Sequence, residues 1–295
     1  LNPASIPSDV IAGTMKWGAW GAQFSTAEYE SMIMNCVEAG VNSFDHADIY
    51  GHYTTEEEFG KAIAGHTALR KNIHLITKCG IRMVTANRPD HKIRSYDTSA
   101  QHIIQSAERS LRNLHTDYIN ILLIHRPDPL MEPDEIAGAF TKLKEQGKVL
   151  DFGVSNFSVS QTELIASRFP IMCNQIEVSV IKMEPLTDGT LDQCIIKGMI
   201  PMSWSPLGGG KIHGDESDER SRKILAVADI LAEKYSARSD QILLAWLWKH
   251  PSGIIPVLGT TRIERVKSAL AAKKIELTRD EWFLLWRASA GHEVA

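Results

Sequence analysis

The stretch SFDHADIYGHYTTEE, residues 43–57, gathers two aspartates, two histidines and two tyrosines behind a short apolar run. Such a set could ligate a metal, move a proton, or simply be a polar loop. Metal binding would use His46, Asp48 and His52. Strand alternation turns His46 and Asp48 away from Asp45, if the strand runs that far. No further ligand follows at a spacing like that of HExxH, so no metal is expected. Proton transfer instead requires partners from elsewhere in the chain. The sequence offers Lys78 and His125, each at the end of an apolar run, in IHLITKCG (73–80) and YINILLIHR (118–126).

A buried lysine and aspartate must pair, because an isolated charge is costly to take out of water. A structural ion pair is the plainer reading of Asp45 and Lys78 alone. Tyr50 adds the chemistry. A tyrosine hydroxyl titrates ordinarily near 10, and a neighbouring ammonium is expected to lower that value, giving a general acid for work near neutral pH. Asp45 would hold Lys78 charged and oriented, and His125 would add a second hydrogen-bonding group.

These residues need elements that bring them to one place. Short, apolar, β-branched runs, as expected of buried parallel strands, occur at 10–18, 41–47, 73–80, 118–126, 151–156, 172–179, 198–205 and 253–259. Amphipathic segments are predicted as helices at 26–39, 98–114, 134–146, 159–168, 186–197, 222–235, 239–249 and 263–271, with Thr98 a candidate cap. The alternation fits eight βα units and a single-domain (β/α)8 TIM barrel over 1–295, with a doubly wound sheet as the competitor. In a barrel, Asp45, Tyr50, Lys78, His125, Ser155, Asn156 and Gln175 all fall at the C-terminal mouth where active sites form.

The bulk properties set outer bounds. The 295 residues are 43% hydrophobic and 23% charged with a net charge of -4, so neither nucleic acid nor a membrane surface is an expected partner. No apolar run approaches a membrane span, and the opening residues carry no leader pattern. The cysteines Cys36, Cys79, Cys173 and Cys194 form no metal or redox pattern. A reducing, cytoplasmic setting is expected.

Taken in order, GTMKWG, FDHADIYG, ITKCG, LLIHRPD, GVSNF, NQIEVS, SWSPLGGG and PVLGTTRIERV resemble the aldo-keto reductases from about residue 10 to 275. Within that family the chain is most similar to bacterial oxidoreductases carrying HADIYG and LLIHRPDPLM. The resemblance implies a barrel that binds NADP(H) without a Rossmann domain and a catalytic tetrad of Asp45, Tyr50, Lys78 and His125. Hydride would pass from nicotinamide to a carbonyl carbon while Tyr50 protonates the oxygen. By the same resemblance Ser155, Asn156 and Gln175 would bond the carboxamide and Trp204 would stack on its ring. Ser205, Pro206, Leu207 and Gly208 would run beside the pyrophosphate, and Gly13, Thr14 and Met15 would flank the nicotinamide and ribose.

The residues themselves add that glycines 208–210 free the backbone for close approach, whereas SPLGGGKI fails the P-loop pattern and no G-x-G-x-x-G follows a strand. GTTRIER, residues 259–265, opens a helix whose N-terminus can face an anion. Arg262 and Arg265 offer forks suited to a ribose phosphate, which points to NADPH over NADH, with an ordinary solvated helix face as the alternative. Some relatives carry lysine where Gly259 stands, so selectivity would rest on these arginines and on Thr260, with Thr261 beside them. Trp17, Trp20, His52 and Tyr53 are candidates for the substrate pocket, with core packing the alternative for the tryptophans. Trp246 and Trp248, with Trp282 and Trp286, are expected to pack helices against the barrel. The charged loop 211–222 is expected either to close over the cofactor or to be plainly solvated. The expected partner is a small carbonyl or alcohol substrate. The other reading is a cofactor-binding regulatory subunit resembling potassium-channel beta subunits.

Overall fold

Eight short, largely buried strands close edge to edge. In the computed structural model, which describes residues 6, 8–212 and 218–294, strands β1 (Ile11–Gly13) and β2 (Ser43–Asp45) flank helix α1 (Thr26–Glu38). A single turn, α2 (Tyr50–Tyr53), and helices α3 (Thr55–Ile63) and α4 (Thr67–Asn72) lead to β3 (His74–Cys79). A small hairpin of β4 (Ile81–Arg82) and β5 (Ser95–Tyr96) precedes α5 (Ala100–Asn113), β6 (Ile119–Ile124) and α6 (Pro133–Glu145). Then come β7 (Val149–Ser155), α7 (Val159–Ala166), β8 (Cys173–Glu177), α8 (Thr190–Lys197) and β9 (Ile200–Trp204). The chain ends through α9 (Glu219–Lys234), α10 (Ser239–Trp248), β10 (Ile255–Leu258), α11 (Ile263–Ala272) and α12 (Arg279–Ala290).

Every neighbouring pair in the ring is parallel, and β1 pairs with both β2 and β10, so the sheet is a closed barrel and not a doubly wound sheet. The expected (β/α)8 barrel is the observed fold. Each predicted strand contains an observed one, trimmed at its ends except for β7, which starts earlier at Val149.

The helices differ in several places: α4 and α12 lie outside the predicted segments, and α8 starts at Thr190, later than the predicted 186. The helix of the second unit is α3, which the amphipathic reading passed over. Its segment, TEEEFGKAI, is acidic at the start and holds Gly60, where a Cβ would lie 1.9 Å from the Asn113 carbonyl oxygen. That glycine permits close approach of α3 to α5 rather than breaking the helix. Segment 222–235 is part of α9, an extra helix ahead of α10, and it begins earlier because Asp218 caps it. The cap of α5 is Ser99, not Thr98, whose hydroxyl bonds Asp128 instead.

Inside the ring, Ile11, Ile76, Ile121, Leu123, Cys173, Met202 and Val257 form an apolar plug. Alternation puts residues two positions further along on the same inward face. Lys78 thus stands above Ile76, His125 above Leu123, Gln175 above Cys173 and Trp204 above Met202. The layer above the plug is polar, and it is the candidate site. Outside the ring, three larger clusters join the helices to the strands. Trp17 belongs to one of these, fully buried between Tyr29, Phe44 and Phe59, which corrects its expectation as a pocket residue. Its indole donates to the Thr260 carbonyl, tying the loop after β1 to the loop after β10.

Candidate active site

Neighbouring strands β2 and β3 pair Asp45 with Ile76, and Lys78 follows two residues on along the same inward face. The Lys78 ammonium donates to both oxygens of Asp45 at 2.8 and 2.7 Å, to the His46 carbonyl at 2.8 Å and to the Tyr50 hydroxyl at 3.1 Å. Asp45, Lys78, Tyr50 and His125 are 3, 1, 9 and 8% exposed, so these are desolvated groups whose mutual contacts count strongly. Gln175 donates from its amide nitrogen to Asp45 at 2.8 Å across the barrel. The Tyr50 and His125 rings meet edge to face, centroids 6.2 Å apart.

Burial works against the charge of Lys78, but the Asp45 carboxylate and then Tyr50 outweigh it, and the ammonium titrates above its ordinary value. Tyr50 departs from the expectation drawn from sequence. Burial raises its hydroxyl above the usual 10, and the nearby Lys78 offsets this only in part. Burial, then the charges of Lys78, Arg126 and Arg94, push His125 well below 6.5, so its ring is neutral. Its Nδ1 is buried without a hydrogen-bond partner among the described residues.

A hydrogen-bonded string runs from the tetrad across the ends of β7, β8 and β9. The Trp204 indole donates to the Asn156 side-chain oxygen at 2.9 Å, Asn156 donates to the Ser155 hydroxyl at 2.7 Å, and Ser155 donates to the Gln175 carbonyl at 3.0 Å. Asn156 and Ser205 hold left-handed backbone angles, φ 61° and 50°, that side chains other than glycine rarely adopt. The sequence named these residues but not their bonds to one another, nor that of Gln175 to Asp45. Only contact across strands reveals those.

The remaining residues sort by position. Thr14 is fully buried and bonds the Asp45 carbonyl and His46 Nδ1, which makes His46 a structural partner in the wall. Met15 is exposed beside it. Trp20 lies 6.0 Å from the Tyr50 ring and 5.4 Å from that of His52, so both line the mouth. Tyr53 does not: it is buried, and its hydroxyl donates to the Ile81 carbonyl and accepts from the Met83 amide, anchoring the β4–β5 hairpin.

Ser205, Pro206 and Leu207 lead into a 3-10 turn at Gly208–Gly210. Gly208, Gly209 and Gly210 are left-handed at φ 70°, 63° and 92°, and the last two are exposed. Gly259 has open space about it. Thr261 and Arg262 lead into α11, which has no side-chain cap, and the exposed Arg262 and Arg265 have no ion-pair partner among the described residues. Of loop 211–222, expected to close over the cofactor or to be solvated, residues 213–217 lie outside the described residues. Among the described residues no group of three or more His, Cys, Asp or Glu could hold a metal ion, and no helix is long and apolar enough to cross a membrane.

The barrel agrees with the similarity of the chain to known proteins. The chain belongs to the aldo/keto reductase family, whose model matches residues 9–288. It is 45% identical over 289 residues to "Uncharacterized oxidoreductase YcsN" of Bacillus subtilis (strain 168), covering 97% of this chain and 96% of that one. It is 36% identical over 285 residues to a "6-dehydroglucose reductase" of Agrobacterium fabrum, covering 95% of each. Among solved structures, the thermostable aldo-keto reductase Tm1743, in complex with the inhibitor epalrestat, aligns with a TM-score of 0.79 at 27% identity over 95% of each chain.

Proposed function

We propose that the protein is an NADPH-dependent reductase of aldehydes and ketones with Tyr50 as its general acid. The observation that carries this reading is the buried Lys78 ammonium bridging the Asp45 carboxylate and the Tyr50 hydroxyl. Relatives named as oxidoreductases and reductases support it, and they do not favour the regulatory-subunit alternative.

The residues present suit a nicotinamide dinucleotide. Trp204 presents a flat apolar face, the glycines at 208–210 let the backbone come close to a ligand, and α11 offers uncapped N–H groups flanked by two guanidiniums without an ion-pair partner among the described residues, suited to a ribose phosphate. Ser155, Asn156 and the oxygen of Gln175 would face the carboxamide. The bound cofactor supplies the hydride to the carbonyl carbon. Tyr50 gives its proton to the carbonyl oxygen, completing the alcohol. The tyrosinate left behind is stabilised by Lys78, held charged by Asp45, until water reprotonates it. Neutral His125 orients the carbonyl without competing for the proton. Run in reverse, the same groups oxidise an alcohol.

The test is NADPH consumption, followed by absorbance, against a panel of aldehydes and ketones. Tyr50→Phe should keep NADPH binding and lose about 10²–10⁴-fold in kcat, the usual share of a general acid. Reduction by that variant at the wild-type rate would sink the mechanism.

A further inference from the structure

The mouth carries more positive charge than the proton chemistry employs. Arg126 directly follows His125, is half-buried, and holds its guanidinium carbon 5.6 Å from the centre of the Trp204 ring. Arg94 immediately precedes β5 in the hairpin that Tyr53 anchors beside the site. The charges of both reach His125, and that of Arg126 also reaches Tyr50. Among the described residues neither guanidinium has a hydrogen-bond or ion-pair partner.

Asp97 and Asp128, close to them in sequence, are engaged otherwise. Asp97 accepts from the amide and hydroxyl of Ser99, and Asp128 accepts from the Thr98 hydroxyl and the Leu130 amide. Asp45 is taken by Lys78 and Gln175. A half-buried guanidinium beside a desolvated site is short of a counter-ion. The indole under Arg126 offers a flat support for the guanidinium, whose edge can form two parallel bonds to a carboxylate.

We infer that Arg126 and Arg94 form an anion subsite at the barrel mouth, so that this reductase selects aldehydes or ketones bearing a carboxylate. The inference rests on the reductase reading for its reaction, but the subsite can be measured apart from it. The carboxylate docks on the guanidiniums and remains unchanged while the carbonyl is reduced.

The experiment compares kcat/KM with NADPH for matched pairs: succinic semialdehyde against butanal, and 4-carboxybenzaldehyde against benzaldehyde. At low salt the anionic member of at least one pair should lead by about tenfold, worth about 1.4 kcal/mol, through KM. The lead should shrink with added salt. Arg126→Gln should bring the ratio to about one and Arg94→Gln should lower it, whereas Lys223→Gln, a surface change on α9, should leave it alone. A wild-type ratio near one for both pairs, or a ratio untouched by both arginine changes, overturns the subsite. Should neither aldehyde of any pair be turned over, the reductase reading fails by itself. Calorimetric titration with 4-carboxybenzyl alcohol and benzyl alcohol then decides the subsite. Tighter binding of the acid that Arg126→Gln abolishes upholds it, and equal binding overturns it.

Discussion

A buried tyrosine beside a buried lysine is pulled two ways, and here burial prevails: Tyr50 titrates above its ordinary 10. At neutral pH the hydroxyl therefore carries its proton, the form a general acid needs to reduce a carbonyl. Alcohol oxidation needs tyrosinate, whose share grows as pH rises. The expected profiles follow from those signs. Carbonyl reduction should be flat between about pH 6 and 8, and alcohol oxidation should climb across the same range. His125 adds no step near 6.5, because burial and three neighbouring cations keep its ring neutral throughout. An acidic limb centred near 6.5 in the reduction profile that vanishes in His125→Gln would contradict this account. Residue types and strand ends made the tetrad legible in sequence. The direction of the tyrosine's shift was not, since it depends on how completely the site is desolvated.

Elements explain what the cofactor and substrate meet. The start of α11 offers free N–H groups with Arg262 and Arg265 alongside, and a guanidinium–phosphate bond of charge-assisted strength is worth about 1.5–3 kcal/mol. Arg265→Ala should thus weaken NADPH binding by about tenfold or more while changing NADH little, as read by fluorescence titration of both. Equal weakening would remove the phosphate assignment. The β4–β5 hairpin depends on Tyr53, whose hydroxyl serves two backbone groups of that segment. Tyr53→Phe should leave kcat near normal, raise KM for aldehydes and speed hydrogen exchange at the Met83 amide; unchanged exchange would show the hairpin is held by other means.

Strands and most helices could be read from the sequence because each buries a periodic apolar set. The hairpin could not. It is short and is fixed from outside by Tyr53 and by the His52 carbonyl, which accepts from Asn87, while His91 against Met83 ties its connecting loop together. Helix α3 escaped because Gly60 imitates a breaker in sequence and acts as a contact in space. Trp17 and Trp20 look alike as letters; only packing separates the one in the core from the one at the mouth.

At the scale of the whole molecule, strand pairing closes the ring and the outer helices pack on one another around it. Trp246 of α10 and Trp282 of α12 stack 4.8 Å apart at 6°, and each indole donates to the other's carbonyl, at 3.1 and 3.0 Å. Trp246 also joins a cluster with Ile176 and Val178 that Trp282 and Trp286 pack against, and Trp248 packs against a cluster holding Ala12 and Phe44, so the expected packing on the barrel is observed, with a reciprocal hydrogen bond that sequence does not reveal. Trp246→Ala should cost about 3–5 kcal/mol and lower the thermal unfolding midpoint accordingly. A midpoint within a degree or so of wild type would mean that the Trp246–Trp282 stack contributes little to stability.

The bond from Gln175 to Asp45 joins groups 130 positions apart. During synthesis, therefore, the proton-handling residues leave the ribosome first, with nothing opposite Asp45 until the second half of the ring has followed. In a refolding experiment, then, the return of turnover times the final joining of the barrel, not the birth of its separate units.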